Sequence, residues 1–230
     1  MHTNDMHGTL TESVFASLSA WRKEVNLYVD SGDCIRTGNL GIPLAPDPVW
    51  PRFADLQLDV SVLGNRETHP LRGAFEKKIE GATHKIVVAN MALATGEPVF
   101  AHGWTTEVNG VKVGFFGVMV PMATEAKRDK TLWAHRWTQP IPVAVDCVRQ
   151  MRSSVDLLCA ITHIGHQRDV ELARAAPEID IIFGGHSHTV LPEPVLEGRT
   201  YICQGGSHNR FAGIYEWSDG VLTGGLRPLR

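Results

Sequence analysis

Asp5 and His7 in "NDMHG", Asp33 in "DSGD", Asn65 in "LGNRE", His163 in "ITHIG", and His186 and His188 in "GGHSH" carry the donor atoms that hold first-row transition metals. Singly, each has an ordinary explanation, since an aspartate after a strand is usually a turn former and a lone histidine a hydrogen-bonded surface or core residue. Jointly they differ, because they arrive in order, each just after an apolar stretch and most beside a glycine that permits a tight turn. Two divalent cations about 3.5–4 Å apart require a bridging carboxylate with neutral or anionic ligands on each side, and Asp33 is the natural bridge. Imidazole combined with carboxylate and amide oxygen suits Mn, Fe or Zn better than Ca or Mg. A pair of such ions lowers the pKa of bound water and neutralises charge on a phosphoryl group, so the chemistry expected of this set is hydrolysis of a phosphate ester.

Strand ends must deliver these side chains. The segments "NLYVDSGD", "LQLDVSVLGN" and "HKIVVANM" are short and β-branched and read as strands, as do "DLLCAITHIG" and "IDIIFGGHSHT". "TLTESVFASLSAWRKE" opens on a capping box from Thr9 to Glu12 and sets Leu10, Val14, Phe15, Leu18 and Trp21 roughly on one face, which predicts an amphipathic helix. Pro43, Pro46, Pro48 and Pro51 predict a loop running into a short helix, and "VAVDCVRQMRSSV" and "RDVELARAA" read as further helices. Asn109-Gly110 and Asp219-Gly220 predict type I′ hairpin turns. Strands joined both through helices and through hairpins make a mixed α/β fold. In open α/β sheets ligands bind beyond the carboxyl ends of the strands, which is where all seven of these residues fall.

At 230 residues, with 43% hydrophobic and 20% charged residues, the chain can bury a full core, and one larger α/β domain is expected. A formal charge of -3 and a pI near 6.4 give no basic footprint for nucleic acid or an anionic membrane. The longest apolar runs, such as "VGFFGVMV", are too short to cross a bilayer. Cys34, Cys147, Cys159 and Cys203 have no metal-ligand spacing and read as reduced packing residues of a cytosolic protein. No basic segment followed by an apolar one opens the chain, so a cytoplasmic address is expected. "MHTND" reaches its polar cluster at once, which predicts an unusually short first strand and leaves open a leader that the chain as given lacks. His2, His84, His102 and His135 read as structural or surface residues, and Trp50, Trp104, Trp133 and Trp137 as core or interface, since no basic groove accompanies them.

The pieces "HTNDMHG", "VDSGD", "LGNRE", "VVANM", "THIGHQRDVELA", "IDIIFGGHSHT" and "YICQGGSHNRFAG", in that order over almost the whole chain, resemble the calcineurin-like metallophosphoesterases and within them the 5′-nucleotidase branch. "GGHSHT" and the opening "TND-x-HG" are the specific parts. The resemblance implies a four-layer α/β/β/α sandwich with two mixed β-sheets, the metallo-dependent phosphatase fold, and one catalytic domain over residues 1–230. It places metal one on Asp5, His7 and His188 and metal two on Asn65, His163 and His186, with Asp33 between them. It implies attack by a metal-bridging hydroxide on a phosphate mono- or diester. His208 and Arg210 lie in a loop that approaches the site in this family, which makes them candidates for touching substrate. Asn4, Asp30 and Asp169 are candidates for orienting the histidine ligands.

Two departures from the family pattern bear on function. Nucleotidases of this branch carry a second, C-terminal domain that grips the nucleoside, whereas this sequence stops at "GGLRPLR", so the expected substrate is a small phosphate ester that need not be a nucleotide. A partner chain supplying recognition is the alternative. The family pattern G-N-H-E-x-D, with its catalytic His and Asp, reads Gly64, Asn65, Arg66, Glu67, Thr68, His69. Arginine stays protonated and cannot readily give a proton to a leaving alkoxide, but its planar fork can clamp phosphate oxygens. His69 is then the candidate proton donor, against the plainer reading in which Arg66 pairs with Glu67 and His69 is a surface residue before Pro70. The competing function is a metal-loaded binding or regulatory module that has lost efficient chemistry, or one subunit of a hetero-complex.

Overall fold

The computed structural model of the chain describes residues 1–123 and 133–229. Two six-stranded sheets make the body. The first runs β14 (Val221–Pro228), β13 (Phe211–Ser218), β1 (His2–Thr3), β2 (Val29–Asp30), β3 (Val60–Ser61) and β4 (Lys85–Ile86). The second runs β11 (Val195–Glu197), β12 (Thr200–Cys203), β10 (Ile181–Phe183), β9 (Leu157–His163), β7 (Val111–Met119) and β6 (Gly103–Val108). A separate pair, β5 (Met91–Leu93) with β8 (His135–Trp137), is antiparallel. β1 to β4 are mutually parallel, and so are β7, β9, β10 and β12, with antiparallel hairpin strands at the flanks.

The pleat sorts side chains into layers. In "VGFFGVMV", Phe115 joins Val29, Val60 and Ile181 in the core between the sheets, while Phe116 faces the other way onto Leu158, Ala144 and Leu172. That outer layer is formed by α4 (Pro140–Met151) and α5 (His166–Ala175). On the far side α1 (Glu12–Arg22) and α2 (Val49–Asp55) bury Val14, Leu18, Trp50 and Phe53 in a cluster with Tyr28, just ahead of β2, and Ala212 of β13. α3 (Arg72–Ile79) follows the "GNRETHP" loop. The result is the expected α/β/β/α sandwich, and burial on both faces explains why these strands are continuous apolar runs. Among the described residues no helix is long and apolar enough to cross a membrane.

The expected elements are present, with corrected bounds. The helix opens at Thr11, whose Oγ1 accepts the Val14 N–H at 3.3 Å, because Thr9 is engaged elsewhere, donating from Oγ1 to Met6 O at 2.6 Å. "HKIVVANM" is not one strand: Asn90 interrupts it, its side chain taking the Met119 N–H at 3.0 Å and donating to Met119 O at 2.8 Å and Thr138 O at 3.0 Å, which carries the chain out of the first sheet. "NLYVDSGD" shrinks to Val29–Asp30, since Asp30 Oδ1 accepts the Gly32 N–H at 2.9 Å and turns the chain at once. Gly32 adopts φ +83, and a Cβ there would lie 2.3 Å from Gly64 N, so glycine is required on both counts. Asn109 and Gly110 (φ 52 and 81), like Asp219 and Gly220 (φ 51 and 80), form the turns their sequence predicts. All four cysteines are free and buried.

Candidate metal centre

The carboxyl ends of β1, β2, β3, β9 and β10 meet along one edge, and the ligand-type side chains meet there with them. Around the first position, His7 Nε2 lies 2.9 Å from His188 Nε2 and 3.9 Å from Asp5 Oδ1, and His188 Nε2 lies 3.3 Å from the same oxygen. Around the second, Asn65 Oδ1 is 3.1 Å from His163 Nε2 and 3.0 Å from His186 Nδ1. Asp33 stands between, Oδ1 at 3.6 Å from His163 Nε2 and Oδ2 at 3.9 Å from His7 Nδ1. Ligands about 2.1 Å from a shared ion are separated by about 3.0 Å in octahedral and 3.4 Å in tetrahedral geometry, close to the separations found here. A cavity of about 680 Å³ lies elsewhere among the described residues, between the sheets at the opposite ends of the strands, lined by residues such as Val111, Leu157 and Trp217.

Two features of the chain itself fit a cation. Asp5 Oδ1 is buried with no hydrogen-bond donor, which leaves an acceptor-only atom facing the other ligands. The backbone is also strained: Asp5, His7, Asp33, His186 and His188 all adopt positive φ, between 51 and 79, as does His208 at 58. Non-glycine residues avoid this region at a cost of about 1–3 kcal/mol each, and a concentration of them in one place marks a functional constraint. Gly64 yields space to the bridge, since a Cβ there would lie 2.3 Å from Asp33 Oδ1.

Neighbouring groups orient several of these side chains. His163 Nδ1 is 2.6 Å from Ser31 O, to which it can only donate, so its Nε2 presents a lone pair. Asn4 orients a carboxylate and not, as the sequence suggested, a histidine: its Nδ2 donates to Asp5 Oδ2 at 2.8 Å and to Gly206 O at 2.7 Å. Asp30 and Asp169 do not orient histidines either. Asp30 Oδ2 sits 2.6 Å from Thr3 Oγ1, and Asp169 Oδ1 sits 2.6 Å from Thr162 Oγ1, because each lies a layer beneath the ligand edge. Glu67 accepts the N–H groups of Asp33 (2.9 Å), Cys34 (2.9 Å), Ile35 (3.2 Å) and Gly64 (2.8 Å) and is therefore not paired with Arg66.

Burial governs the electrostatics. It pushes the His7 imidazole down to about 4, helped by the Arg66 charge, and His186 down to about 4, helped by His163, so both rings are neutral and ready to coordinate at physiological pH. Burial would lower His163 as well, but Asp33, Asp5 and the Ser31 carbonyl outweigh it and raise this ring. Burial pushes Asp30 from 3.8 up to about 8. Its folded pKa lies above the unfolded one, so its contribution to stability is fully present below about pH 3.8 and is lost as pH rises through about 8. Asp30→Asn is isosteric and carries no charge, so its melting temperature is expected to exceed that of the parent at pH 8 and to match it near pH 4. Equal melting temperatures at both pH values would contradict a buried, neutral Asp30.

The remaining candidates separate. The Arg66 N–H donates to Asp33 Oδ1 at 2.7 Å, its guanidinium touches Arg36 O at 3.3 Å, and its charge is felt by His7. The ring of His69 is committed to the backbone: Nδ1 accepts the Leu71 N–H at 3.0 Å and Nε2 lies 3.3 Å from Leu40 O. It is buried, not the surface residue of the plainer reading. His208 is exposed and packs its ring on His7, centroids 4.7 Å apart, with its N–H held by Asp5 O at 2.8 Å. Arg210 is exposed and returns its Nε to Ser207 O at 3.4 Å. Sequence reasoning passed over Lys78, which is 1% exposed. Its ammonium donates to Gly38 O (2.9 Å), Asn39 O (3.0 Å), Arg66 O (2.6 Å) and Thr68 O (2.9 Å), and burial lowers its pKa to about 8. Nothing in "FEKKIEG" distinguishes it from its neighbour Lys77.

No protein-family model matches the chain. Among curated proteins it is 26% identical to the trifunctional nucleotide phosphoesterase protein YfkN of Bacillus subtilis (strain 168), over 93% of this chain and 17% of that protein. It is 25% identical to the 5′-nucleotidase of Vibrio cholerae, over 97% of this chain and 49% of the relative. The chain thus spans about half or less of the length of these relatives. Among solved structures, the 5′-nucleotidase precursor from Thermus thermophilus superposes with TM-score 0.80 at 23% identity, covering 99% of this chain and 54% of that one. The calcineurin-like phosphoesterase YfkN from Bacillus subtilis gives 0.74 at 20% identity, covering 99% and 89%. Its sequence relatives and its structural neighbours are thus 5′-nucleotidases and calcineurin-like phosphoesterases, and its fold is the one they share.

Proposed function

We propose that the chain hydrolyses phosphate esters at a two-metal centre held by Asp5, His7 and His188 on one side, Asn65, His163 and His186 on the other, and Asp33 between. The observation that carries this reading is the convergence of ligand atoms from five strand ends at 2.9–3.9 Å, around a buried aspartate oxygen with no donor. Imidazole, carboxylate and one amide oxygen favour Mn, Fe or Zn. Two such ions, when bound, supply activated water and charge neutralisation at phosphorus.

The chain's own residues divide the rest of the work. Arg66, beside Asp33 and His7, holds non-bridging phosphate oxygens with its planar fork and stabilises charge that grows during transfer. His208 covers His7 from the solvent side and meets the ester as it enters. The committed ring of His69 supports a loop-holding role over the proton donor expected from sequence. Leaving groups that need little protonation are therefore the favoured substrates, such as aryl monoesters and diesters of acidic alcohols. The relatives' names include nucleotides among their substrates. A nucleoside phosphate is accordingly one ester to test beside these.

The test joins metal analysis to turnover. The protein is reconstituted with Mn, Fe or Zn and assayed on p-nitrophenyl phosphate, its bis-ester and nucleoside monophosphates. Two equivalents of metal and turnover abolished by chelation are expected, with Arg66→Ala lowering kcat/KM by roughly 10²-fold at unchanged metal content. Two bound metals with no turnover on any ester would instead identify a binding or regulatory module. Failure to bind metal would overturn the reading.

A further inference from the structure

The amide of Asn65 has two ends, and only its oxygen can face a cation. That oxygen is the atom 3.1 Å from His163 Nε2 and 3.0 Å from His186 Nδ1. The other end, Nδ2, donates to Asn39 Oδ1 at 2.9 Å. Asn39 is exposed, so packing does not set its position. Its backbone is set instead by Lys78, whose buried ammonium gathers the carbonyls of Gly38 and Asn39 from one loop and of Arg66 and Thr68 from the other. Four carbonyl oxygens share three ammonium hydrogens, a cage of the kind that would suit a monovalent cation. The two loops joined by this cage are the two whose side chains meet in the Asn39–Asn65 hydrogen bond.

We propose that Asn39 is a positioning residue for the second metal, fixing the Asn65 amide with its oxygen toward His163 and His186, and that the Lys78 ammonium holds the two loops in register so that it can do so. This rests on the two-metal reading above. Without the Asn39 acceptor the amide is free to turn about its last torsion and present NH₂ to the cation position, which weakens binding there alone. The first position, formed by Asp5, His7 and His188, has no contact with Asn39 and keeps its affinity.

Stepwise Mn²⁺ titration by calorimetry, with the visible spectrum of the Co²⁺-loaded protein, separates the two positions. In Asn39→Ala the binding event that belongs to the second position is expected to lose about 10–100-fold in affinity, the range typical of groups that orient a ligand. The other event and the metal-free melting temperature stay unchanged. Asn39→Asp restores an acceptor for Asn65 Nδ2 and is expected to recover most of the affinity. Lys78→Met should reproduce the loss, and the Asn39 pair decides the matter if that variant does not fold. Wild-type protein binding two ions with Asn39→Ala binding both equally well overturns this inference alone, as does equal weakening of both events. Wild-type protein binding fewer than two ions overturns the two-metal reading and this inference with it.

Discussion

Asp33→Asn is expected to reduce phosphoesterase turnover by at least about 10³-fold and to leave the protein with at most one metal, as judged by kcat and by elemental analysis. The carboxylate is 3% exposed, one oxygen is fixed by the Arg66 N–H at 2.7 Å, and both face histidine nitrogens of different positions. An amide of the same shape keeps the Arg66 contact but offers one oxygen where two are needed and no charge to bridge two cations. The same substitution should stabilise the metal-free protein. Burial raises the Asp33 carboxyl from 3.8 to about 6, with Glu67 and Asp5 adding to the rise and His163 opposing it. Its contribution is fully present below about pH 3.8 and is lost as pH rises through about 6, so above that pH the wild-type apoprotein carries an unfavourable buried charge that the variant lacks. A higher melting temperature for the chelator-treated variant at pH 7.5, together with lost turnover, is the expected signature of a group kept for function at the expense of stability. Full activity in Asp33→Asn would remove Asp33 from the centre.

Glu67 should be the least replaceable residue of the "GNRETHP" loop. Its carboxylate is 1% exposed, Oε2 accepts the Asp33 and Gly64 N–H groups, and Oε1 accepts those of Cys34 and Ile35. Glu67→Ala strands four buried donors at once, each worth about 1–3 kcal/mol when unmet, and local relaxation should bring the total cost to about 4 kcal/mol. Glu67→Gln should help little, because whichever way the amide turns, its NH₂ meets two N–H groups pointing at it. Denaturant unfolding of both variants checks this, and a glutamine variant within about 0.5 kcal/mol of wild type would contradict it. Because the bonded N–H groups belong to Asp33 and its neighbours, the surviving folded fraction should also bind metal more weakly.

Much of this was legible in the chain. The apolar runs marked the strands because both of their faces are buried, and the candidate ligand residues stood out because each follows such a run; Asp33, Asn65 and His163 were singled out without tertiary information. The bounds of the strands were not legible. β2 ends at Asp30 because a side chain caps the Gly32 N–H, and "HKIVVANM" splits because Asn90 bonds a distant strand; both are contacts that periodicity does not encode. For His69 the structure adds what sequence could not show. Read against the family pattern, His69 stands where the catalytic aspartate would, which made it the candidate acid; in the fold its Nδ1 accepts the Leu71 N–H and its Nε2 lies 3.3 Å from Leu40 O, 29 residues away. Lys78 and Asn39 were invisible for the same cause, since a lysine next to a lysine on a helix gives no hint that it is buried among carbonyls.

The seven candidate ligand side chains do not come from one sheet. Asp5, Asp33 and Asn65 hang from strands of the first sheet that are only two residues long, and His163, His186 and His188 from the second, with His7 on the first again. An ion held among them as proposed would also be a clasp between the two sheets, at the edge where the first sheet's strands are only two residues long. If the centre binds metal as proposed, heat resistance and ion affinity become one quantity, and the melting temperature is expected to rise with the logarithm of free metal.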